Sequence, residues 1–201
     1  MNYNKDTSKK ILDSAFDVFG EKGFNGARMQ AIADKAGINK ALLHYYYKSK
    51  DALFELIIKK AFNLLLPKVL KVFKEEDDIF TTIENFVDLY ISLVQKHPQI
   101  PGFVIYEISN NPERFIKLLE NSKINIDKIK ARLSLEMGNG TIIKMAPEQL
   151  IVNIISLIVF PFVAKPLVTY LAFNGDKKSY DEFINDRKKE VAQFVIRAIK
   201  T

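Results

Sequence analysis

Apolar residues recur along most of the chain at the three- and four-residue spacing of amphipathic helices. Residues 79–96 are the clearest example, because Ile83, Phe86 and Tyr90 fall on one helical face there. No stretch of useful length alternates with the two-residue period of a half-buried strand. Residues 100–108 are the best strand candidate, and they fit a short helix equally well. The pattern therefore predicts an all-α protein.

Glycine, proline and capping residues indicate where these helices begin and end. Gly37 suits the left-handed conformation that ends a helix, and Asn39 and Ser49 are good N-caps for the helices that follow them. Pro67 is expected to kink or end the fourth helix near residue 66. The predicted helices span residues 8–21, 29–36, 40–46, 50–66, 79–96, a short helix between 98 and 112, 113–137, 147–173 and 180–200.

The composition excludes several kinds of functional site. The 201 residues include no cysteine, which excludes a disulfide scaffold, a zinc finger and a thiol nucleophile. The two histidines, His44 and His97, are far apart in sequence, so no histidine-rich metal site is expected, although a carboxylate-only site stays open. No nucleophile–base pair, carboxylate pair or metal-ligand spacing stands out. We therefore expect no catalytic residues, no metal and no cofactor.

Positive charge is concentrated at the N-terminal end of the chain. The formal net charge is +6, and residues 1–60 hold 11 Lys and Arg against 7 Asp and Glu. A basic first third is expected if that part of the chain meets a polyanion, although a soluble module can carry the same excess.

Two short helices joined by a turn at Gly37 have the layout of a helix-turn-helix. The second of them, KALLHYY at residues 40–46, would lie in the major groove of DNA. Helical spacing turns Leu43 and Tyr47 toward the core, whereas Tyr46 fits a core position and a phosphate contact equally well. The outward face carries Lys40, Ala41, His44 and Tyr45.

Residues 10 to 54 resemble the DNA-binding domain of the TetR/AcrR family of bacterial transcriptional regulators. The resemblance is carried by ILDSAFDVFGEKGFNGARMQAIADKAGINKALLHYYYKSKDALF, which covers about a quarter of the chain. It implies base contacts at Lys40, Ala41 and Tyr45. Phosphate contacts are implied at His44, Tyr46 and Lys50, with a solvated surface lysine as the alternative for Lys50.

Three residues depart from the family pattern. Arg28 stands where Ser or Thr commonly caps the second helix, and arginine cannot cap but can still bind a phosphate. Leu42 stands where a small or hydroxyl residue is common, which removes a polar contact. His44 replaces the usual tyrosine, and because an imidazole can gain a proton near neutral pH, its phosphate contact would depend on pH.

The chain is expected to divide into a helix-turn-helix domain at residues 1–50 and a helical effector-binding and dimerisation domain at residues 51–201. One DNA-binding module reads few base pairs, so two copies are expected on the operator. The resemblance implies pairing through the last two long helices, with monomer core packing as the alternative for the same apolar residues. The expected interface residues are Ile154, Leu157, Ile158, Phe162, Phe194 and Val195.

The resemblance also implies a small-molecule pocket in the middle helices. Its candidate residues are Phe62, Phe86, Tyr90, Phe103, Tyr106 and Glu107, and each of them fits core packing as well. A pocket lined by these residues would favour an apolar or aromatic effector.

The leading hypothesis is a cytoplasmic, ligand-responsive repressor that binds an inverted-repeat operator in double-stranded DNA as a homodimer. One alternative is an enzyme or carrier that acts on a lipophilic small molecule within the helical domain. The other is a membrane-associated helical protein. Against it, the uncharged run at residues 150–164 is 15 residues long, short of the roughly 20 residues that span a bilayer.

Overall fold

The computed structural model describes residues 3–72, 77–98, 100–120 and 125–201, without the side chains of residues 3–5, 61–71 and 118. Within these residues the chain is helical and contains no strand beyond an isolated bridge between Ile142 and Lys200. The helices are α1 (Tyr3–Gly26), α2 (Met29–Ala36), α3 (Lys40–Tyr46), α4 (Lys50–Val72), α5 (Ile79–Lys96), α6 (Ile100–Asn110), α7 (Pro112–Glu120), α8 (Ile126–Gly138), α9 (Pro147–Val163), α10 (Lys165–Phe173) and α11 (Lys177–Ile199). The predicted all-α class is confirmed.

The first and fourth helices are longer than predicted, since α1 ends at Gly26 and α4 continues past Pro67 to Val72. Two other predicted helices are each divided in two. The helix expected over 113–137 is α7 and α8, and Asn125 begins α8 as an N-cap that accepts from the Lys128 amide. The helix expected over 147–173 is α9 and α10, which meet at an angle of 82°. No described helix is by itself long and apolar enough to cross a bilayer, and only the bent pair α9 and α10 meets that test on combined length and composition.

The helices pack into two compact units. Unit 1 comprises Met1–Leu64 and Gln99–Asn121, and unit 2 comprises Leu65–Pro98 and Ser122–Thr201. The buried core of unit 1 joins α1, α2, α3, the first half of α4 and α6 through residues that include Ile11, Phe19, Ile32, Leu43, Phe54 and Phe103. The core of unit 2 joins α5, α8, α9 and α11 through residues that include Ile83, Val87, Leu133, Ile158, Tyr180 and Val195.

Gly23 bends α1 near its end. Its backbone has φ 65° and ψ 175°, a conformation that is essentially restricted to glycine. A Cβ at this position would also lie 3.3 Å from the Tyr106 ring. Both constraints fit a glycine at the point where the last residues of α1 turn toward α2.

The break between α9 and α10 leaves backbone groups whose partners come from α11. Pro161 has no N–H, so it cannot donate to the carbonyl of Leu157, four residues before it. Arg187 donates to that carbonyl through Nη2. The Pro161 carbonyl, in the last turn of α9, accepts from the Tyr180 hydroxyl at 3.0 Å. Burial lowers the pKa of Arg187 and raises that of Tyr180 to about 12.

Arg187→Met is expected to lower the free energy of unfolding by about 2 kcal/mol, because it leaves the part-buried Leu157 carbonyl without this donor. It also removes the guanidinium that lies 5.2 Å from the centre of the Phe183 ring. Urea denaturation followed by circular dichroism measures the change. The matched control is Arg197→Met on the same helix, where the exposed side chain donates to the Gln193 side chain. Equal effects of the two substitutions would contradict the prediction.

Candidate nucleic-acid interface

The turn and caps around α3 have the geometry of a helix-turn-helix. Gly37 adopts φ 67° in the left-handed region and ends α2. The Asn39 side chain accepts from the Leu42 amide at 2.7 Å and begins α3. Leu43 is fully buried, and the Tyr47 hydroxyl lies 3.0 Å from Ser8 Oγ on α1. These contacts fix the inner face of α3, so its outer face is held in one orientation relative to α1 and α2.

The outer face of α3 carries the four side chains that were expected to point outward, Lys40, Ala41, His44 and Tyr45, and all of them are exposed. Tyr45 is 79% exposed, which is unusual for so large a ring. Lysine, histidine and tyrosine supply charged and neutral hydrogen-bonding groups for phosphates and base edges. The face is therefore suited to contact duplex DNA.

Tyr46 occupies a position between the core and the outer face. Its side chain is half-buried and packs against the core of unit 1. Its ring centre lies 5.7 Å from that of Tyr45 and 6.3 Å from that of Tyr47. A ring placed in this way supports Tyr45 whether or not its hydroxyl reaches a phosphate.

Arg28 precedes α2 and is exposed. Its backbone is extended, with φ −113° and ψ 138°, and its side chain makes no capping hydrogen bond. The guanidinium is thus not used to cap the helix. The departure from the family pattern at this position leaves an exposed cation beside the helix-turn-helix.

The Lys50 side chain is half-buried, whereas those of Arg28, Lys40, His44 and Tyr45 are exposed. Its ammonium donates to the carbonyls of Phe24 at 2.9 Å and Ala27 at 3.2 Å. It also lies 4.3 Å from the centre of the Phe24 ring. An ammonium has three N–H groups, so these two bonds leave one for any other acceptor.

Lys35 is a further cation of this unit with partners inside it. Its ammonium is 3.1 Å from Asp17 and 3.5 Å from Glu21 on α1. The hydrogen bond to Asp17 raises the pKa of Lys35. The positive charge of α2 is therefore partly neutralised on the side that faces α1.

The candidate pocket residues are divided between the two units. Phe62 lies outside the described side chains. Phe86 and Tyr90 belong to unit 2, with ring centres 5.9 Å apart, and burial raises the pKa of Tyr90. Phe103, Tyr106 and Glu107 belong to α6 in unit 1. Among the residues that the structure describes, no group of three His, Cys, Asp or Glu side chains could hold a metal ion.

Phe103 and Glu107 both take part in the core of unit 1. The Phe103 ring centre is 4.6 Å from that of Phe54 and 6.2 Å from that of Phe16. Glu107 is fully buried, and its Oε1 is 3.2 Å from Arg114 Nε. Its Oε2 accepts a hydrogen bond from the side-chain amide of Asn111. The contact between Oε1 and Arg114 is an ion pair, and Oε1 accepts no hydrogen bond from the described residues.

Sequence reasoning did not single out Arg114, although a signal for it exists. Glu107, Asn111 and Arg114 follow one another at spacings of four and three, which places them on one helical face. Pro112 hid this pattern because it marks the boundary between α6 and α7. The pairing is therefore local in sequence but crosses a break between helices.

The candidate interface residues lie at different depths in unit 2. Ile154, Ile158 and Val195 are buried in its core, whereas Leu157 and Phe162 are half-buried. Phe194 is 63% exposed. The same helices expose other large apolar side chains that sequence reasoning did not select: Val152, Phe160, Val163, Leu167, Tyr170 and Leu171.

Comparison with known proteins gives matches to bacterial regulators. Residues 11–57 match the family model described as "Bacterial regulatory proteins, tetR family". Over 193 residues the chain is 27% identical to the HTH-type transcriptional regulator RutR of Escherichia coli (strain K12). This alignment covers 96% of this chain and 90% of RutR. The chain is also 29% identical over 137 residues to the biofilm operon icaADBC HTH-type negative transcriptional regulator IcaR of Staphylococcus epidermidis. This second alignment covers 59% of this chain and 72% of IcaR.

A solved structure shares the whole fold. A HlyIIR mutant protein with one segment replaced by a linker aligns with a TM-score of 0.72 at 22% identity, over 98% of each chain. The matched relatives are regulators of transcription and not enzymes. The family match spans the helix-turn-helix, and RutR matches this chain over nearly its whole length. The chain is therefore a transcriptional regulator of the TetR family.

Proposed function

We propose that this regulator is a repressor that binds an inverted-repeat operator as a homodimer and is released by a small apolar or aromatic effector. The observation that carries the DNA-binding part is the outer face of α3. That face is exposed while Leu43 and Tyr47 anchor the helix from behind. A rigid helix that presents cations and hydroxyl groups is what major-groove recognition requires.

The candidate contacts divide by the part of DNA that they would meet. Lys40, Ala41 and Tyr45 are proposed to contact base edges, because they lie on the exposed first turns and outer face of α3. Direct phosphate contacts are proposed for Arg28, His44 and Tyr46. Lys50 is proposed to act on the phosphate side through its bond to the Ala27 carbonyl, in the peptide unit that leads into Arg28. Base contacts would set the preferred sequence, and phosphate contacts would set position and overall affinity.

Selection from a random pool of double-stranded DNA tests this proposal. The expected result is enrichment of a site with dyad symmetry, with half-sites about one helical turn or a multiple apart. The protein with Lys40, His44 and Tyr45 all changed to alanine, which should enrich nothing, is the control. Failure of the unaltered protein to enrich a dyad-symmetric site would overturn the proposal.

Lys40→Ala is expected to reduce sequence discrimination, because each lost base contact costs roughly 1–3 kcal/mol. Fluorescence anisotropy with the selected site and with one-base variants of it measures the effect. Lys59→Ala is the matched control, since Lys59 is also exposed but pairs with Glu55 on α4. Retention of full discrimination by Lys40→Ala would remove Lys40 from the base contacts.

The proposed dimer rests on the apolar surface of α9, α10 and α11. Phe160 and Phe194 are both more than half exposed, and such rings are costly to leave in water. An open groove of about 330 Å³ lies beside Phe194 and is lined by Leu157 and Ala198 among others. We propose that a second copy covers this surface, with Phe194, Leu157 and Phe162 in contact and Ile154, Ile158 and Val195 supporting them from the core.

Phe194→Glu is expected to convert the dimer to monomers, because it would bury a carboxylate in an apolar contact. Sedimentation velocity at micromolar protein concentration measures the change. Leu135→Glu on α8 is the matched control, since Leu135 is 61% exposed and lies outside the proposed interface. A dimer that survives Phe194→Glu would place the interface elsewhere.

The effector part of the proposal rests on the aromatic side chains of the middle helices. Phe86 and Tyr90 offer adjacent rings in unit 2, and Phe103, Tyr106 and Glu107 offer two rings and a carboxylate in unit 1. A ligand changes DNA affinity only if it binds one arrangement of the protein better than another. A screen of lipophilic compounds for loss of operator binding tests this part, and a compound that raises stability without releasing DNA would contradict it.

A further inference from the structure

The ammonium of Lys50 lies at the junction of α1 and α2. It donates to the carbonyls of Phe24 and Ala27, and the Phe24 ring lies beneath it. The Phe24 ring in turn packs against Phe54 with ring centres 4.7 Å apart. The Lys50 ammonium is thus held between the Phe24 ring and the carbonyls of Phe24 and Ala27, which lie in the last turn of α1 and just after it. The C-terminal end of a helix carries partial negative charge, which favours a cation there.

The bond to Ala27 bears directly on Arg28. The Ala27 carbonyl and the Arg28 N–H belong to one planar peptide unit, so an atom that fixes the carbonyl also fixes the direction in which Arg28 begins. Ala27 is itself buried, whereas Arg28 is exposed and lacks a capping bond of its own. The bond from the Lys50 ammonium to the buried Ala27 therefore helps to fix the backbone position of Arg28.

We propose that Lys50 is a positioning residue for Arg28, and that its contribution to DNA affinity is exerted through Arg28 rather than through a phosphate contact of its own. This inference rests on the proposed DNA-binding function. It differs from the direct phosphate contact that the family resemblance implies, because two of the three N–H groups of Lys50 are already bonded to carbonyls.

The turn that Lys50 holds lies where the backbone leaves the regular geometry of α1, at Gly23 with φ 65°. A backbone hydrogen bond from the Ala27 amide to the Gly23 carbonyl, at 3.2 Å, spans this turn. The Lys50 ammonium adds two more bonds to this short segment. Its removal would loosen the peptide that carries Arg28 more than it would loosen α2 or α3.

Amide hydrogen exchange tests the positioning role without DNA. In Lys50→Met the Ala27 amide is expected to exchange about tenfold faster, while the Leu43 amide, which donates to Asn39, keeps its rate. Lys60→Met is the matched control, because Lys60 also joins α4 to α1 but does so through Asp13 on an exposed face. Equal exchange at Ala27 in Lys50→Met and in the unaltered protein would overturn the inference. If Lys50→Met does not fold, Lys50→Leu, which likewise removes the N–H donors, carries the same comparison.

A double-mutant cycle tests the link to DNA, with a labelled duplex of about 30 base pairs of fixed mixed sequence as the probe, since phosphate contacts do not depend on sequence. Lys50→Met and Arg28→Ala are each expected to weaken binding about tenfold and to lower the salt slope by about 0.9. The double variant should bind no worse than either single variant.

Independent action of the two side chains would give a different result. Multiplied losses in the double variant, with a salt slope lowered by about 1.8, would show that Lys50 holds a phosphate of its own and would overturn the inference. If the unaltered protein binds no duplex at any salt concentration, the proposed function fails, and the exchange measurement still decides whether Lys50 positions the turn.

Discussion

Phe54→Ala is expected to lower the free energy of unfolding by about 4 kcal/mol, the cost of removing a large ring from a packed core. Phe54 is fully buried, and its ring centre lies within 5 Å of three others: 4.9 Å from Phe19, 4.7 Å from Phe24 and 4.6 Å from Phe103. It therefore joins α1, α4 and α6 at one point. Because a domain is stable by only about 5–15 kcal/mol, the DNA-binding unit should become marginal.

Urea denaturation followed by circular dichroism measures this effect. Leu56→Ala is the matched control, since Leu56 is two positions away on α4 and is 40% exposed. We expect its effect to be below about 1 kcal/mol. A loss in Phe54→Ala no larger than in Leu56→Ala would show that the three ring contacts do not carry the core of unit 1.

Glu107→Ala is expected to lower the free energy of unfolding by about 3 kcal/mol, because it leaves the half-buried Arg114 without its carboxylate partner. Arg114 lies 5.2 Å from the centre of the Phe54 ring, and its Nε and Nη2 have no hydrogen-bond acceptor among the described residues. Glu107→Gln should cost less, since it keeps an oxygen for Asn111. Thermal and urea denaturation measure both variants.

Glu113→Ala is the matched control for Glu107→Ala, because Glu113 is an exposed acid next to Arg114 in sequence. A second comparison uses the contact between Arg114 and Phe54. Since the two sites share Arg114, the losses in Phe54→Ala and Glu107→Ala should not add. Additive losses, or equal losses in Glu107→Ala and Glu113→Ala, would show that the buried ion pair does not support the core.

The helix-turn-helix could be predicted from sequence because its signals are local. Gly37 ends α2 and Asn39 caps α3, and each acts within four residues of its own position. The outward direction of Lys40 and Tyr45 follows from the position of Leu43 on the same short helix. Neighbouring residues therefore determine both the element and its exposed face.

Features that depend on distant residues could not be predicted in this way. Lys50 bonds to carbonyls 26 and 23 residues away, so its position near the end of α1 is not visible in its own helix. The run from Pro147 to Phe173 is mostly apolar, and its periodicity does not reveal a bend. Pro166 stands in the first turn of α10 and favours a helix start there, which the apolar run concealed.

Arg187 donates to the Leu157 carbonyl in place of the N–H that Pro161 lacks. The two positions should therefore be under a shared evolutionary constraint. If position 161 held any other amino acid, its N–H could bond to the Leu157 carbonyl, and that carbonyl would no longer depend on Arg187 for a donor. Homologous sequences should therefore change these two positions together. A proline at 161 should coincide with a long donor at 187, and where the proline is absent a smaller or apolar residue should be tolerated there.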